Sequence, residues 1–307
     1  MATEGSTKAI VAALLANLGI AITKFLAYLF SGSASMLAES VHSLADSGNQ
    51  LLLIVGGRRA RRTASAEHPF GYGRSRYVYA FIVSVVLFTV GGLFSIYEGF
   101  NKLNHPHELT NAWLPITVLL VAIVLEGFSL RTAIRESNKV RGNQSWVNFV
   151  RKAKAPELPV VLLEDLAALL GLVLALLGVG LSIITGNVAF DAYGTLAIGV
   201  LLVVVAVILG LEMASLLIGE GASENEVEQI RLALTQTEGV ESVIHLKTLY
   251  LGPEQLMLGA KIAVAASSSG QDIARIIDLA EANVRAVVPV AKTIYLEPDI
   301  LRTKTNA

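Results

Sequence analysis

The sequence contains no cysteine. That absence excludes disulfides, thiolate metal sites and cysteine nucleophiles, and it is silent about compartment. Charge is also scarce. Only 16% of the 307 residues are charged and 53% are hydrophobic, with a mean hydropathy of +0.61. A typical soluble domain carries about 25% charged residues, so the deficit points to a bilayer. The formal net charge of −1 offers no cationic excess for nucleic acid. No phosphate-cradling glycine loop is present, and no nucleophile stands beside a base on a loop or strand end, so an enzyme is not expected. Internal repeats and low-complexity tracts are missing as well.

The apolar residues come in blocks. Six stretches are long enough to cross about 30 Å of hydrocarbon as helices: roughly 10–30, 35–57, 78–100, 113–134, 158–184 and 190–218. The first follows Lys8 in the manner of a secretory leader, yet it runs on through Lys24 to Phe30 and leads into further spans, so it reads as a span. The second is the least hydrophobic and counts as a span only in context. Six arginines lie between Arg58 and Arg76, and Lys139, Arg141, Arg151, Lys152 and Lys154 lie between the fourth and fifth spans. The opposite connections hold only Lys102. This asymmetry predicts a multi-pass protein with both termini cytoplasmic, and a bacterial inner (plasma) membrane is the expected home. The arginines from Arg58 to Arg62 are read as topology signals that also attract anionic lipid.

Past Ile218 the pattern changes. "SENEVEQIRLALTQTEGV" predicts a helix with Ser223 as N-cap and Glu226 closing a capping box. A strand, a Gly252–Pro253 turn, a second strand with Leu256, Leu258, Ala260, Ile262 and Val264 on one face, an amphipathic helix and a last strand follow. The order αββαβ fits a small cytosolic α+β domain, a three-stranded sheet with two helices on one face. The expected division is 1–220 for a membrane α-helical bundle and 221–307 for this domain.

The least apolar span holds the chemistry. In "SASMLAESVHSLADSGNQLLLIVGG", a helical turn of about 100° per residue puts Glu39, His42, Asp46 and Asn49 in a sector of roughly 80°. Each ionisable group at bilayer depth costs about 2.5–3.5 kcal/mol on insertion scales. A stripe of them must face a bundle interior, where one cation offsets several costs together. His42 and Asp46, four residues apart, can reach one ion, and imidazole with carboxylates suits a divalent transition metal such as Zn²⁺. Two ligands cannot complete a tetrahedral site. The fifth span offers Glu164 and Asp165 in "LPVVLLEDLAALLG", and since neighbours diverge by about 100°, one of the two is expected to face the second span. The competing reading of a lone acid, Glu39 or Glu164, is a pairing with Lys24 or a hydrogen bond to a neighbouring helix. Asn49 serves helix–helix contact as readily as ligation.

"GSASMLAESVHSLADSGNQ", "HPFGYGRSRYVYAFI" and "VVLLEDLAALLGL" together resemble the cation diffusion facilitator family over almost the whole chain. The pairing of "AESVHSLADSGNQ" with "LLED" is most similar to the branch that contains the animal mitochondrial zinc transporter. The resemblance implies six spans, a ferredoxin-like C-terminal domain, a homodimer formed partly through that domain, and export of Zn²⁺ as transported substrate in exchange for protons. No cofactor is implied. The family's ligand pairs map onto His42 and Asp46 in the second span, and onto Val161 and Asp165 in the fifth. Val161 cannot bind metal. A fourth ligand must then come from Glu39, Asn49, Glu164 or water, with Glu39 favoured because it shares the stripe. Zn²⁺ is the first expectation for the ion, followed by Fe²⁺, Mn²⁺ or Co²⁺. A non-transporting membrane sensor or scaffold is the alternative outside the exporter class.

Accessory sites of the family look reduced. His68 stands in the loop after the second span, but the positions matching its partner ligands read Ser65 and Tyr72, so a structural loop histidine is the leading reading. His245 is the only histidine of the C-terminal domain, and His105 and His107 sit on the far side in a solvated loop.

Overall fold

The computed structural model describes residues 2–31, 34–105 and 113–301; the side chains of 2–5, 30, 31, 34–39, 41, 42 and 45 lie outside that description. Glu39, His42 and His107 therefore fall outside it as side chains. The chain forms two compact units, Met1–Ala60 with Ser75–Ala214 and Arg61–Arg74 with Ser215–Ala307.

The first unit is built from long helices: α1 (Ala2–Ser31), α2 (Ala34–Ala60), α3 (Ser75–Val86), which continues through a π-helical stretch (Leu87–Leu93) into α4 (Phe94–Asn104), α5 (Trp113–Arg141), a short α6 (Trp146–Lys152), α7 (Glu157–Thr185) and α8 (Ala189–Ile218). Among the described residues, five rods are long and apolar enough to cross a membrane: α1, the continuous α3–α4 rod, α5, α7 and α8. With 27 residues, α2 matches them in length, at about 40 Å for a rise of 1.5 Å per residue. Its polar stripe dilutes its hydropathy. Within the bundle α1 packs on α2 and α5, α5 packs on α7, and α2 packs on α3.

Apolar helices in lipid gain nothing from hiding hydrocarbon, so close backbone approach takes over as the source of cohesion. The third rod meets α8 in this way. A Cβ on Gly199 would stand 2.8 Å from the Ile96 backbone nitrogen and 3.1 Å from the Gly92 carbonyl oxygen. A Cβ on Gly92 would meet Val203 at 2.6 Å, and one on Gly99 would meet Leu196 at 2.7 Å. Gly91 and Gly92 lie inside the π stretch, whose wider turn re-aims the rod where it crosses α8.

Ion pairs close the two ends of the bundle. Arg76, at the start of α3, forms a two-pronged bond with Glu157, at the start of α7, with Nη2 donating to Oε2 at 2.7 Å; both side chains are buried. At the far end Lys102 of α4 pairs with Asp191 of α8 at 2.9 Å and donates to Thr195 at 3.1 Å.

The second unit carries α9 (Glu224–Thr235), β1 (Ser242–Gly252), β2 (Gln255–Ala263), α10 (Gly270–Val287) and β3 (Ala291–Asp299). The sheet order is β1-β2-β3, antiparallel between β1 and β2 and parallel between β2 and β3. The predicted face of β2 is the buried one: Leu256, Leu258 and Ala260 join Ile230 and Leu234 of α9 and Ala280 and Val284 of α10 in one core, and Ile262 and Val264 join Ile276 in its neighbour. The Ser223–Glu226 capping box forms as expected, and Tyr250 Oη donates to the same Glu226 at 2.8 Å. A second box, Ser269 with Asp272, starts α10.

Residues 61–74 belong to this unit because glycine permits it. A Cβ on Gly73 would meet the Leu251 carbonyl oxygen at 2.7 Å, and one on Gly252 would meet the Gly73 Cα at 2.8 Å. The loop thus rests backbone to backbone on the end of β1.

Two predictions follow from this packing. Gly199→Ala forces the third rod and α8 apart and destabilises by about 1–3 kcal/mol, the usual cost of overpacking. Gly127→Ala, whose Cβ meets nothing within 4 Å, is harmless; thermal melting of purified protein in detergent separates the two. In α10, the hydrogen bonds from Ser269 hold the Asp272 carboxyl below the usual carboxylate range. Its contribution is present above that range and lost as pH falls through the lowered value. Ser269→Ala therefore lowers the melting point of the second unit at pH 7, and the difference from the parent shrinks below about pH 4.

Candidate functional site

The buried polar groups of the bundle gather where α2, α5 and α7 meet. Asn49 and Gln50 of α2 are 1% and 0% exposed, Glu164 and Asp165 of α7 are 6% and 1%, and Glu126 of α5 is 2%. Asp46 is half-buried on α2. Glu126 lies within electrostatic reach of Asp46, Glu164 and Asp165, and Glu164 within reach of Asp46 and Asp165.

The two neighbouring acids of α7 diverge as helical geometry requires. Glu164 turns to α2, where Asn49 Nδ2 donates to Oε1 at 3.0 Å and Gln50 Nε2 donates to Oε2 at 2.8 Å. Asp165 turns to α5 and accepts from Ser129 Oγ at 2.6 Å. So one acid of the pair hydrogen-bonds α2, and that acid is Glu164. Asn49 and Glu164, each a candidate for completing a metal site, are bonded to each other. The amide oxygens of Asn49 and Gln50 are buried and make no hydrogen bond. Lys24 of α1 donates to Ser43 of α2 at 3.0 Å, while Glu164 is held by the two amides.

Val161 is fully buried among the apolar residues of α7 and offers no donor atom. The Glu39 and His42 side chains lie outside the described residues; of the expected His42–Asp46–Asp165 set, Asp46 is half-buried on α2 and Asp165 accepts from Ser129 of α5. Among the described residues no three His, Asp or Glu side chains converge closely enough to hold a metal ion.

Two contributors escaped the sequence reading. Glu126 is the only acid between Trp113 and Ile134, and an isolated intramembrane acid is itself a sufficient signal. Ser129 carries no such signal; a serine in an apolar helix is unremarkable until its partner is known. The Arg76–Glu157 pair was hidden for the same reason.

The accessory histidines are elsewhere. His68 sits in a hydrogen-bonded turn of the 61–74 loop: Ser65 Oγ and Tyr72 Oη lie 3.1 Å apart, the His68 amide donates to Ser65 Oγ at 3.1 Å, and the His68 and Tyr72 rings meet edge to face at 4.5 Å. Gly71 supplies the left-handed residue of that turn, with φ +80°. The positions where metal ligands would stand thus bond to each other and to the histidine. His245 lies exposed on β1 opposite Lys261, and His105 is exposed.

Replacing Glu164 tests whether it acts as a tie between helices. Glu164→Leu strands two buried amide donors at about 1–3 kcal/mol each and lowers the melting point. Glu164→Gln keeps it near the parent, because the unpaired amide oxygens of Asn49 and Gln50 can accept from the new amide after a side-chain flip.

Comparison with known proteins agrees with this architecture. The family model "Cation efflux transmembrane domain" matches residues 10–218, and "Cation efflux protein, cytoplasmic domain" matches 222–299. The chain is 33% identical over 265 residues to the protein named proton-coupled zinc antiporter SLC30A9, mitochondrial, of Xenopus laevis, covering 85% of this chain and 47% of that protein. The Homo sapiens protein of that name is 32% identical over 261 residues, with coverage of 84% and 46%. The cation-efflux pump FieF of Escherichia coli O1:K1 / APEC is 27% identical over 252 residues, with coverage of 82% and 79%. The chain spans about half the length of the mitochondrial relatives it matches. Among solved structures, a nickel form of the MamM CTD aligns with 26% of this chain and all of its own, at 20% identity and a TM-score of 0.25. A multi-pass bundle with a half-buried acid on α2, buried acids on α7 and a separate αββαβ unit, matched by both family models over nearly its whole length, belongs to the cation efflux, or cation diffusion facilitator, family.

Proposed function

We propose that this chain exports a divalent metal cation, Zn²⁺ in the first place, from the cytoplasm in exchange for protons. One observation carries the reading. Asp46, Glu164 and Asp165 all lie within electrostatic reach of Glu126 inside an apolar bundle. Only protons or a cation can offset that much negative charge at such depth. The names of the relatives, zinc antiporter and cation-efflux pump, point the same way.

In this reading His42, Asp46 and Asp165 hold the ion between α2 and α7, with Glu39 as the fourth donor in place of Val161. Asn49 and Glu164 take a supporting role, since the Asn49 amide already donates to the Glu164 carboxyl. Zinc needs neutral imidazole and ionised carboxylates, so its binding displaces protons. Protons arriving from the far side return to His42 and the acids and release the ion. The bundle alternates between the two sides, with the α2–α7 contact as the element that must rearrange. Division at 220/221, cytoplasmic termini and a homodimer formed partly by the second unit complete the proposal. Fe²⁺, Mn²⁺ or Co²⁺ in place of Zn²⁺ would leave the residue roles unchanged.

Metal uptake into proteoliposomes under an imposed pH gradient tests it. His42→Ala and Asp165→Asn each lower the flux more than about tenfold, at least the loss seen when a residue that merely supports a ligand is removed. Parental flux in both variants removes the site. Equal fluxes with and without the gradient sink the proton coupling. No flux in the parent protein, with metal still bound, selects the sensor reading.

A further inference from the structure

We propose that Glu126 is a cation-contacting residue on the exit side of the transport path, receiving the ion after Asp165. This role presupposes the export reading above. Glu126 is 2% exposed on α5 and lies within electrostatic reach of Asp46, Glu164 and Asp165. The two acids of α7 have donors of their own: Glu164 accepts from Asn49 and Gln50, and Asp165 accepts from Ser129. Among the described residues no hydrogen bond reaches the Glu126 carboxyl. A buried carboxylate without a donor is costly to retain, and a passing cation supplies the partner.

Position along α5 sets its place in the order. Glu126 and Ser129 are three residues apart, so both fall on one side of the helix. Leu125 turns elsewhere: a Cβ on Gly19 of α1 would stand 3.2 Å from its Cδ1. With Ser129 bonded to Asp165, Glu126 is on the α7 side and about 4.5 Å nearer the Trp113 end of α5. That end is opposite the basic connection between α5 and α7, so under the positive-inside rule it is the exit end. Beyond this level the charged walls stop. Residues 113–125 of α5 and 166–185 of α7 carry no charged side chain. Val118 and Ala122 continue the buried stripe of Glu126 without a side-chain ligand atom. On these two helices Glu126 is thus the last group that attracts a departing cation. A carboxylate there lets the ion leave Asp165 by exchanging one oxygen ligand for another, as stepwise passage through several weak sites requires.

Glu126→Gln keeps the shape of the side chain and removes its charge. In proteoliposomes it should lower Zn²⁺ flux at least about tenfold, while Zn²⁺ binding to the purified full-length protein and its melting point stay with the parent. Glu126→Asp, which restores the charge one methylene back, should recover part of the flux. Parental flux in Glu126→Gln overturns the role. So does a loss of binding in step with flux, which would make Glu126 a ligand of the first site. An inactive parent overturns the export reading and this role together, whereas an active parent beside an equally active Glu126→Gln removes this role alone. Because the chain has no cysteine, Glu126→Cys places a single thiol on the proposed path. Cd²⁺, a soft ion suited to thiolate, should give a cadmium–thiolate absorption band with Glu126→Cys and none with Gly127→Cys, about 100° round the helix. A band in both variants, or in neither, overturns the role even where Glu126→Gln fails to fold.

Discussion

Everything in the membrane bundle is organised around the cost of charge inside hydrocarbon. Glu164 is the clearest case. Its carboxylate is held by two amides from α2, and those bonds are the visible reason that α2 and α7 face each other at this level. Asp165, one residue on, is turned by the helix toward α5 and takes the Ser129 hydroxyl. Three helices are thereby tied by two consecutive acids. The arrangement is incomplete in a telling way, because the amide oxygens of Asn49 and Gln50 remain buried without donors.

The remaining contacts of the bundle allocate rigidity around that centre. Where the third rod crosses α8, glycines replace side chains and the backbones approach closely. Ion pairs mark the rims: Arg76 with Glu157 at one end, Lys102 with Asp191 at the other. The interior contact between α2 and α7 is held by hydrogen bonds to a carboxylate, and protonation or metal binding changes the strength of those bonds.

The second unit follows different rules, those of a water-soluble α+β fold. Alternation along β2 buries one face, two helices with serine capping boxes cover it, and the loop of residues 61–74 lies on the end of β1 through the Gly73–Gly252 contact. Ser65 and Tyr72 bond to each other and enclose His68, so the turn is held by hydrogen bonds among the side chains present.

Much of this was legible in the sequence because it depends on period and composition. The apolar blocks, the αββαβ order, the buried face of β2 and the Ser223–Glu226 box all follow from local spacing. So does the stripe on α2, since helical geometry alone puts Asp46 and Asn49 on one side. The second span also shows where composition runs out, for its polar stripe leaves it the length of a membrane helix without the hydropathy of one. What the sequence could not settle is pairing between distant residues. Nothing local says that Asn49 and Gln50 meet Glu164 across 115 and 114 positions, that Ser129 meets Asp165, or that Arg76 meets Glu157. Nor does it say which of two adjacent acids turns to which helix. Helix periodicity states that Glu164 and Asp165 diverge, whereas the rotation of α7 against α2 and α5, set by packing, decides where each one goes.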